Sequence, residues 1–549
     1  MLIVCYPPYI VPISQILTIG NFCIVSLKMS PTLILTVILL YFCALFAVSY
    51  IAGRKADSAT FFSGSRKSPW LLVGISTMTA AMSGVTFVSV PGMVGTTGWS
   101  YMQMVAGFTV GQLILAYGLV PLYYKYNLTS IYRYLEQRLG IRSYRTGAWF
   151  FFVSKMLGAS VRLFIVTEVL QLLVCAPLGV PYWVNVLFTV AVVYLCTFRG
   201  GVKSVLQTDL LQTICLTLSV ALCIYWILKS GRAAGEDYLA GICSDPMTRI
   251  FRFDNPKEGT YFWKQFIAGI VLLVGTTGID QDMMQRTLSC RSAAESRKNI
   301  LLGAGMQIVV IGLFLFLGYL LYTYAARTGV DISALKPDDV FPYLATGGFF
   351  PQIVGVLFVV GFIASAYSAA CGSLTALTTS FTIDLLGSRW SSATPLLTNQ
   401  PTPSTTTPAP NHPQPALSLD TLRRIVHPLM ALCMAGCISV IHVLNNDSVI
   451  QTVFLVAGYT NGPLLGMFLF GILTRRRIRD RWLPLVAIAA PVITYIIDTH
   501  SAAWFNGYVF SHERLVLNAL LTFTGIYLLS IGKPKSLSHS QIVNSPIVK

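Results

Sequence analysis

The chain has 549 residues, of which 54% are apolar and only 11% charged, and its mean hydropathy is +0.67. So few charges cannot cover a water-facing surface of that size, which excludes an ordinary soluble domain and makes lipid the solvent for most of the chain. The net charge of +17 sits in short loops between long apolar runs, a pattern of membrane orientation rather than of nucleic-acid binding.

Residues 1–28 carry one basic residue, Lys28, and two prolines, Pro7 and Pro8. They lack the charged start and small-residue cleavage site of a signal peptide and read as an N-terminal extension before the first span. A helix needs roughly 20 mostly apolar residues to cross the hydrocarbon. Thirteen stretches qualify: about 31–52, 69–96, 101–124, 146–175, 180–198, 203–230, 261–283, 300–325, 351–386, 422–446, 450–474, 480–498 and 512–531. These runs do not alternate, so a β-barrel is excluded, and the expected class is an all-α polytopic membrane protein. The transporter domain would run over 31–532. Residues 388–418 are rich in Pro, Thr, Ser and Asn and almost uncharged, composition for a disordered cytoplasmic linker between spans 9 and 10, and 533–549 would be a cytoplasmic tail. The 12 cysteines form no CxxC pair and lie mostly inside apolar runs, so they read as packing residues, not as a zinc site or disulfide framework.

Orientation follows from Lys and Arg in alternate loops. With the N-terminus outside, 26 of the 38 fall on the cytoplasmic side and 10 on the other, while Lys155 and Arg162 lie within a span. The C-terminus is then cytoplasmic. Arg475, Arg476, Arg477, Arg479 and Arg481 form the densest cluster, read first as a topology anchor, with anionic lipid as the alternative.

Two spans are interrupted by helix breakers. Span 2 reads Thr79-Ala-Ala-Met-Ser-Gly-Val-Thr86 and then Pro91-Gly92; span 7 reads Gly275-Thr-Thr-Gly278-Ile-Asp280-Gln-Asp282. Paired breaks five spans apart point to a site between inverted repeats, here spans 2–6 (about 69–230) and 7–11 (about 261–474), where unwound backbone offers carbonyls to a cation. Gly and Pro are also simply common in membrane helices. Span 9 packs hydroxyls and small residues from Ser365 to Ser380, which suits an oxygen-seeking cation and helix packing equally. Charges inside spans cost about 2.5–3.5 kcal/mol each and call for a reason. Of these, Lys155, Arg162 and Glu168 lie in span 4 and Asp209 near the start of span 6. Asp280, Asp282 and Asp384 are expected at the cytoplasmic interface in structural roles.

These residues resemble the sodium/solute symporter family, which includes sugar, proline, sialic acid, pantothenate and iodide carriers. The likeness runs from about Met29 to Gly532. It is carried by Arg54-Lys-Ala-Asp-Ser-Ala-Thr-Phe-Phe-Ser-Gly64, Gly200-Gly-Val-Lys-Ser-Val-Leu-Gln-Thr-Asp209-Leu-Leu-Gln212, Asp280-Gln-Asp282-Met-Met-Gln-Arg286 and Thr378-Thr-Ser-Phe-Thr-Ile-Asp384, and Pro91–Gly140 looks most like bacterial members. The resemblance implies a five-plus-five inverted-repeat, LeuT-like core. It places sodium on the carbonyls of Thr79, Met82 and Ser365 and the hydroxyl of Ser368, with Asp209 on the inner exit path. By this resemblance Thr86 would face the solute, and Arg162, Gly275, Thr276 and Thr277 are the other expected pocket residues. If Arg162 reaches the pocket an anionic solute is the better fit, and if it pairs with Glu168 or caps a helix a neutral sugar or polyol fits as well. One departure matters: Ser368 is followed by Ala369 where the family usually has a second hydroxyl.

The expected function is sodium-coupled symport of a small polar solute, of sugar, carboxylate or amino-acid type, in the plasma membrane, by alternating access. A proton-coupled or uncoupled carrier and a transporter-like solute sensor are the alternatives. No GxxxxGK[ST], HExxH or GxSxG motif supports an enzyme.

Overall fold

A computed structural model describes residues 16–19, 22–25, 31–54, 56–128, 130–256, 258–386, 419–444, 447–506, 508, 510 and 513–531. The expected linker 388–418, the tail 533–549 and most of the extension 1–28 lie outside the described residues. The first half holds α1 (Pro31–Gly53), α2 (Trp70–Ala81), α3 (Gly84–Gly92), α4 (Tyr101–Ile114), α5 (Ile141–Leu170), α6 (Tyr182–Thr197) and α7 (Val202–Ala233). The second holds α8 (Phe262–Leu273), α9 (Gln281–Thr287), α10 (Ala293–Thr328), α11 (Pro337–Thr346), α12 (Gln352–Ser380), α13 (Leu419–Leu444) and α14 (Asp447–Leu473). Two further helices, α15 (Leu483–Trp504) and α16 (Glu513–Leu528), close the chain. The only strands among the described residues form two short antiparallel pairs, Ile16–Ile19 with Phe22–Val25 and Arg477–Ile478 with Ser530–Ile531.

Among the described residues eight helices are long and apolar enough to cross a membrane, nine with the bent pair Phe262–Gly278 and Gln281–Thr287 taken as one span. Two shorter apolar helices, Trp70–Ala81 and Tyr182–Thr197, accompany them, and α14 runs for 27 residues from Asp447 to Leu473. An interruption accounts for part of the difference from the thirteen apolar runs. The first short helix stops at Met82, and Gly84–Lys125 forms a 42-residue run. Gly98 divides that run at φ +60°, ψ −148°, backbone that glycine adopts without a Cβ penalty.

Packing repeats across the two halves. Just as α4 lies against α8, α10 lies against α2; just as α7 lies against α12, α14 lies against α5; and α6 meets α13. Each contact is thus answered by the contact between the equivalent helices of the other half, as a two-fold exchange of five-span units requires. Five is odd, so the second unit enters from the opposite side, the inverted arrangement. Around this core the outer faces stay apolar and exposed, as at Leu40 (66%), Val309 (62%) and Leu528 (79%), surface that only lipid covers at low cost.

Candidate functional site

The first break is built by local hydrogen bonding. After Ala81 the backbone extends at Met82 (φ −91°, ψ 104°) and Ser83 (φ −93°, ψ 166°), turning the peptide groups away from the helix axis. Ser83 then starts α3 as a capping box: its hydroxyl accepts from Thr86 N and the Thr86 hydroxyl accepts from Ser83 N, each at 3.4 Å. The break abuts α12, since a Cβ on Gly84 would stand 3.2 Å from that of Ala366. Glycine at 84 is what permits the close approach.

Beside that contact, Ser365 and Ser368 are fully buried. The Ser365 hydroxyl donates to Phe362 O at 2.8 Å, and Ser368 donates to Asp209 Oδ1 at 2.6 Å. Asp209, on α7 and fully buried, also accepts from Ser76 and from Arg286 Nη1. Thr79 Oγ1 meets Thr213 Oγ1 of α7. Hydroxyls, extended backbone and one carboxylate therefore gather where α2, α7 and α12 meet. Such an all-oxygen set suits a hard cation, and no cluster of three or more His, Cys, Asp or Glu suited to a metal occurs among the described residues.

The second break carries charge. A π-helical turn, Val274–Gly278, leads to Asp280 (φ −93°, ψ 124°), whose side chain accepts from Met283 N at 3.2 Å and so starts α9, bent 75° from α8. Asp280 and Asp282 both pair with Lys155 of α5, at 3.0 and 3.1 Å. Asp282 pairs onward with Arg286 Nε at 2.9 Å, and Arg286 reaches Asp209. A continuous chain thus runs from Asp280 through Lys155, Asp282, Arg286 and Asp209 to Ser368. Buried charge is tolerated only when paired in this way. Gly372 makes room for it, because a Cβ there would fall 1.8 Å from Arg286 Nη2.

A cavity of about 290 Å³ opens between the breaks. Thr86, Arg162, Thr276 and Thr277 lie on its wall, next to Met82 and Ser83. Gly275 does not: it faces the opposite way, where a Cβ would meet Leu515 at 3.2 Å and Leu465 at 3.5 Å. A residue of a π-helical turn changes face with each position, and the glycine points at the packing helices.

Lys155, Asp280, Gln307 and Asn461 also line the cavity and were not among the sequence candidates for it. The missed signal was Lys155, a second cation two helical turns before Arg162. Asp280 and Asp282 serve structure, as expected, through Lys155 and Arg286; Asp282 is buried and Asp280 lines the cavity. Asp384 is structural, accepting from Ser130, Tyr144 and Ser380 at 2.8, 2.9 and 3.0 Å. Glu168 is held by His442 at 2.8 Å. Arg162 is exposed to the cavity and makes no hydrogen bond or ion pair with the described residues.

The sodium:solute symporter family profile matches residues 61–392, more than half of the chain. The chain belongs to the sodium:solute symporter family. It is 24% identical over 436 residues to the sodium/iodide cotransporter of Homo sapiens, covering 77% of this chain and 62% of that protein. With sodium-coupled monocarboxylate transporter 2 of Danio rerio it shares 25% over 436 residues, 76% of this chain and 64% of the relative. With the sodium/sialic acid symporter NanT of Aliivibrio fischeri it shares 25% over 495 residues, 85% and 88%. The chain therefore spans under two thirds of the first two relatives and most of the third.

Among solved structures, a Na⁺-coupled sialic acid symporter in a substrate-bound outward-open state superposes with TM-score 0.71 at 17% identity, covering 90% of this chain and 97% of that one. A nucleobase-cation-symport-1 family transporter in a closed conformation gives 0.51 at 13%, covering 85% and 93%. These likenesses establish the inverted-repeat fold. Family and fold make this an integral membrane protein of a family of symporters, not of enzymes.

Proposed function

We propose that the chain is a secondary active transporter that couples entry of one small anionic solute to sodium. The observation that carries the solute class is Arg162, a guanidinium that makes no hydrogen bond or ion pair among the described residues and lies in the field of Asp280 and Asp282, on the wall of a cavity of about 290 Å³ ringed by hydroxyls of Thr86, Thr276 and Thr277. An unpaired cation inside a membrane protein is costly, and an arriving carboxylate supplies both the charge and the hydrogen bonds it lacks. Glu168, the acid closest in sequence, is already engaged by His442. The solutes for which these relatives are named, iodide, monocarboxylates and sialic acid, are all anionic at neutral pH.

Sodium is assigned to the carbonyls of Thr79, Met82 and Ser365 and the hydroxyl of Ser368, with Asp209 receiving the ion on its way inward. Extended backbone at Met82 and the contact of Gly84 with Ala366 support this. The repeats are taken as 69–230 and 261–474, with the N-terminus outside and the C-terminus cytoplasmic on the count of basic residues. Ion binding favours one state of the core only through differential affinity, and at about 100 mV one charge contributes about 2.3 kcal/mol.

Thermal stability in potassium buffer, titrated with sodium, tests the ion site. A ligand of the folded state stabilises by about 2.7 kcal/mol at 100 times its Kd. Wild type shows a saturable, sodium-specific rise, Ser368→Ala weakens it, and Ala369→Ser, which restores a second hydroxyl, strengthens it. No sodium response in any of the three would reject sodium coupling in favour of a proton-driven or uncoupled carrier.

A further inference from the structure

The arginine cluster after α14 is better organised than a topology anchor needs. A topology signal asks only for positive charge in the loop. Here the loop is stapled at both ends. Arg138 donates to the carbonyls of Gly471 at 3.0 Å and Arg476 at 3.1 Å and to that of Thr474. Strand Arg477–Ile478 pairs with Ser530–Ile531 beyond α16. The loop's one acid is already committed: Asp480 accepts from Arg142 N and Ser143 N, both at 2.8 Å, and from the Ser143 hydroxyl at 2.5 Å, at the start of α5.

Among the described residues the arginines are therefore left without a counter-charge. Arg475, Arg477 and Arg479 are exposed and make no side-chain ion pair or hydrogen bond among the described residues. Arg476 lies over the Tyr527 ring at 4.4 Å and donates to Ser530 Oγ at 3.3 Å. Between loop and helix end is a cavity of about 350 Å³ lined by Arg479, Trp482, Leu528, Leu529 and Ser530. Its rim is apolar and open: Trp482 is 47% exposed, Leu528 79%, and Leu485, one turn along α15, 57%. A water-soluble anion would gain nothing from that rim, whereas acyl chains would cover it.

We propose that this groove binds the phosphate of an anionic phospholipid, with Arg479 and Ser530 at the phosphate and Trp482, Leu485 and Leu528 along the upper acyl chains. The site holds the end of α14, the helix that carries Asn461 onto the cavity wall. It does not depend on which solute or ion is carried.

Native mass spectrometry and thermal melting of the purified full chain test it, with phosphatidylglycerol, phosphatidylcholine and inorganic phosphate as probes. Phosphatidylglycerol is expected to give a retained adduct and a raised Tm, and the other two neither. Arg479→Gln lowers apparent affinity about fivefold, Arg479→Lys restores most of it, and Arg475→Gln, of equal net charge but off the groove, stays within about twofold. Equal weakening by Arg479→Gln and Arg475→Gln would reduce the site to diffuse charge and overturn the proposal. So would stabilisation by inorganic phosphate equal to that by phosphatidylglycerol, which would mark a soluble-anion site.

Discussion

Lys155 and Arg162 stand seven residues apart on α5 and both face the central cavity. Lys155 is closed off by Asp280 and Asp282, and through Asp282 joins Arg286 and Asp209. Arg162 has no such contact among the described residues, and Asp280 and Asp282 act on it only at longer range. Two cations on the same helix thus differ in their contacts. One joins α5 to α9 and, through Asp282 and Arg286, to α7, while the other makes no contact pair among the described residues, and the proposal of an anionic solute rests on that difference. The difference is in the partners, and it teaches that a charge inside a membrane protein marks a binding site only when the fold leaves it unsatisfied.

Breaking the paired side should cost stability, most where burial is deepest. Arg286→Met leaves Asp209 and Asp282 facing each other without their shared cation and is expected to lose about 3–5 kcal/mol. This would be read as a collapse of the Tm or of the monodisperse peak in detergent. Lys155→Met should cost less, about 1–3 kcal/mol, because Asp282 keeps Arg286 and Asp280 retains some exposure, 18%. If Lys155→Met were harmless, the chain of ion pairs would not be structural.

Sharpening the unpaired side needs the reverse result. Arg162→Gln should leave stability within about 0.5 kcal/mol while uptake of small carboxylates into proteoliposomes falls at least tenfold, the effect of about 1.5–3 kcal/mol lost with a charged hydrogen bond. A large loss of stability in Arg162→Gln would put Arg162 with Lys155 and withdraw the anionic-solute reading.

Much of the architecture was legible from local composition. Apolar runs of span length, the glycine-rich breaks near Met82 and Gly278 and the hydroxyl-rich stretch from Ser365 to Ser380 are each contained within a single segment. Lipid imposes the helical state on such segments whatever surrounds them, because every buried peptide group must find its partner within its own helix. The family motifs are local in the same sense, and so family and fold class could be read before any coordinate.

The charges could not be read in that way. Lys155 lies 125 residues from Asp280, and Ser368 lies 159 from Asp209. No periodicity within one helix reports on such a pair, so the contact of Lys155 with Asp280 was not expected and Gly275 was expected on the cavity. The turn before Asp280 aimed Gly275 at Leu515. By itself the sequence determined that the chain crosses the membrane many times and where its helices break, since lipid solvation acts on each segment alone. Only the tertiary structure decided which charges pair in direct contact and which one does not, since such contact is a matter of a few ångströms between helices that packing alone brings together.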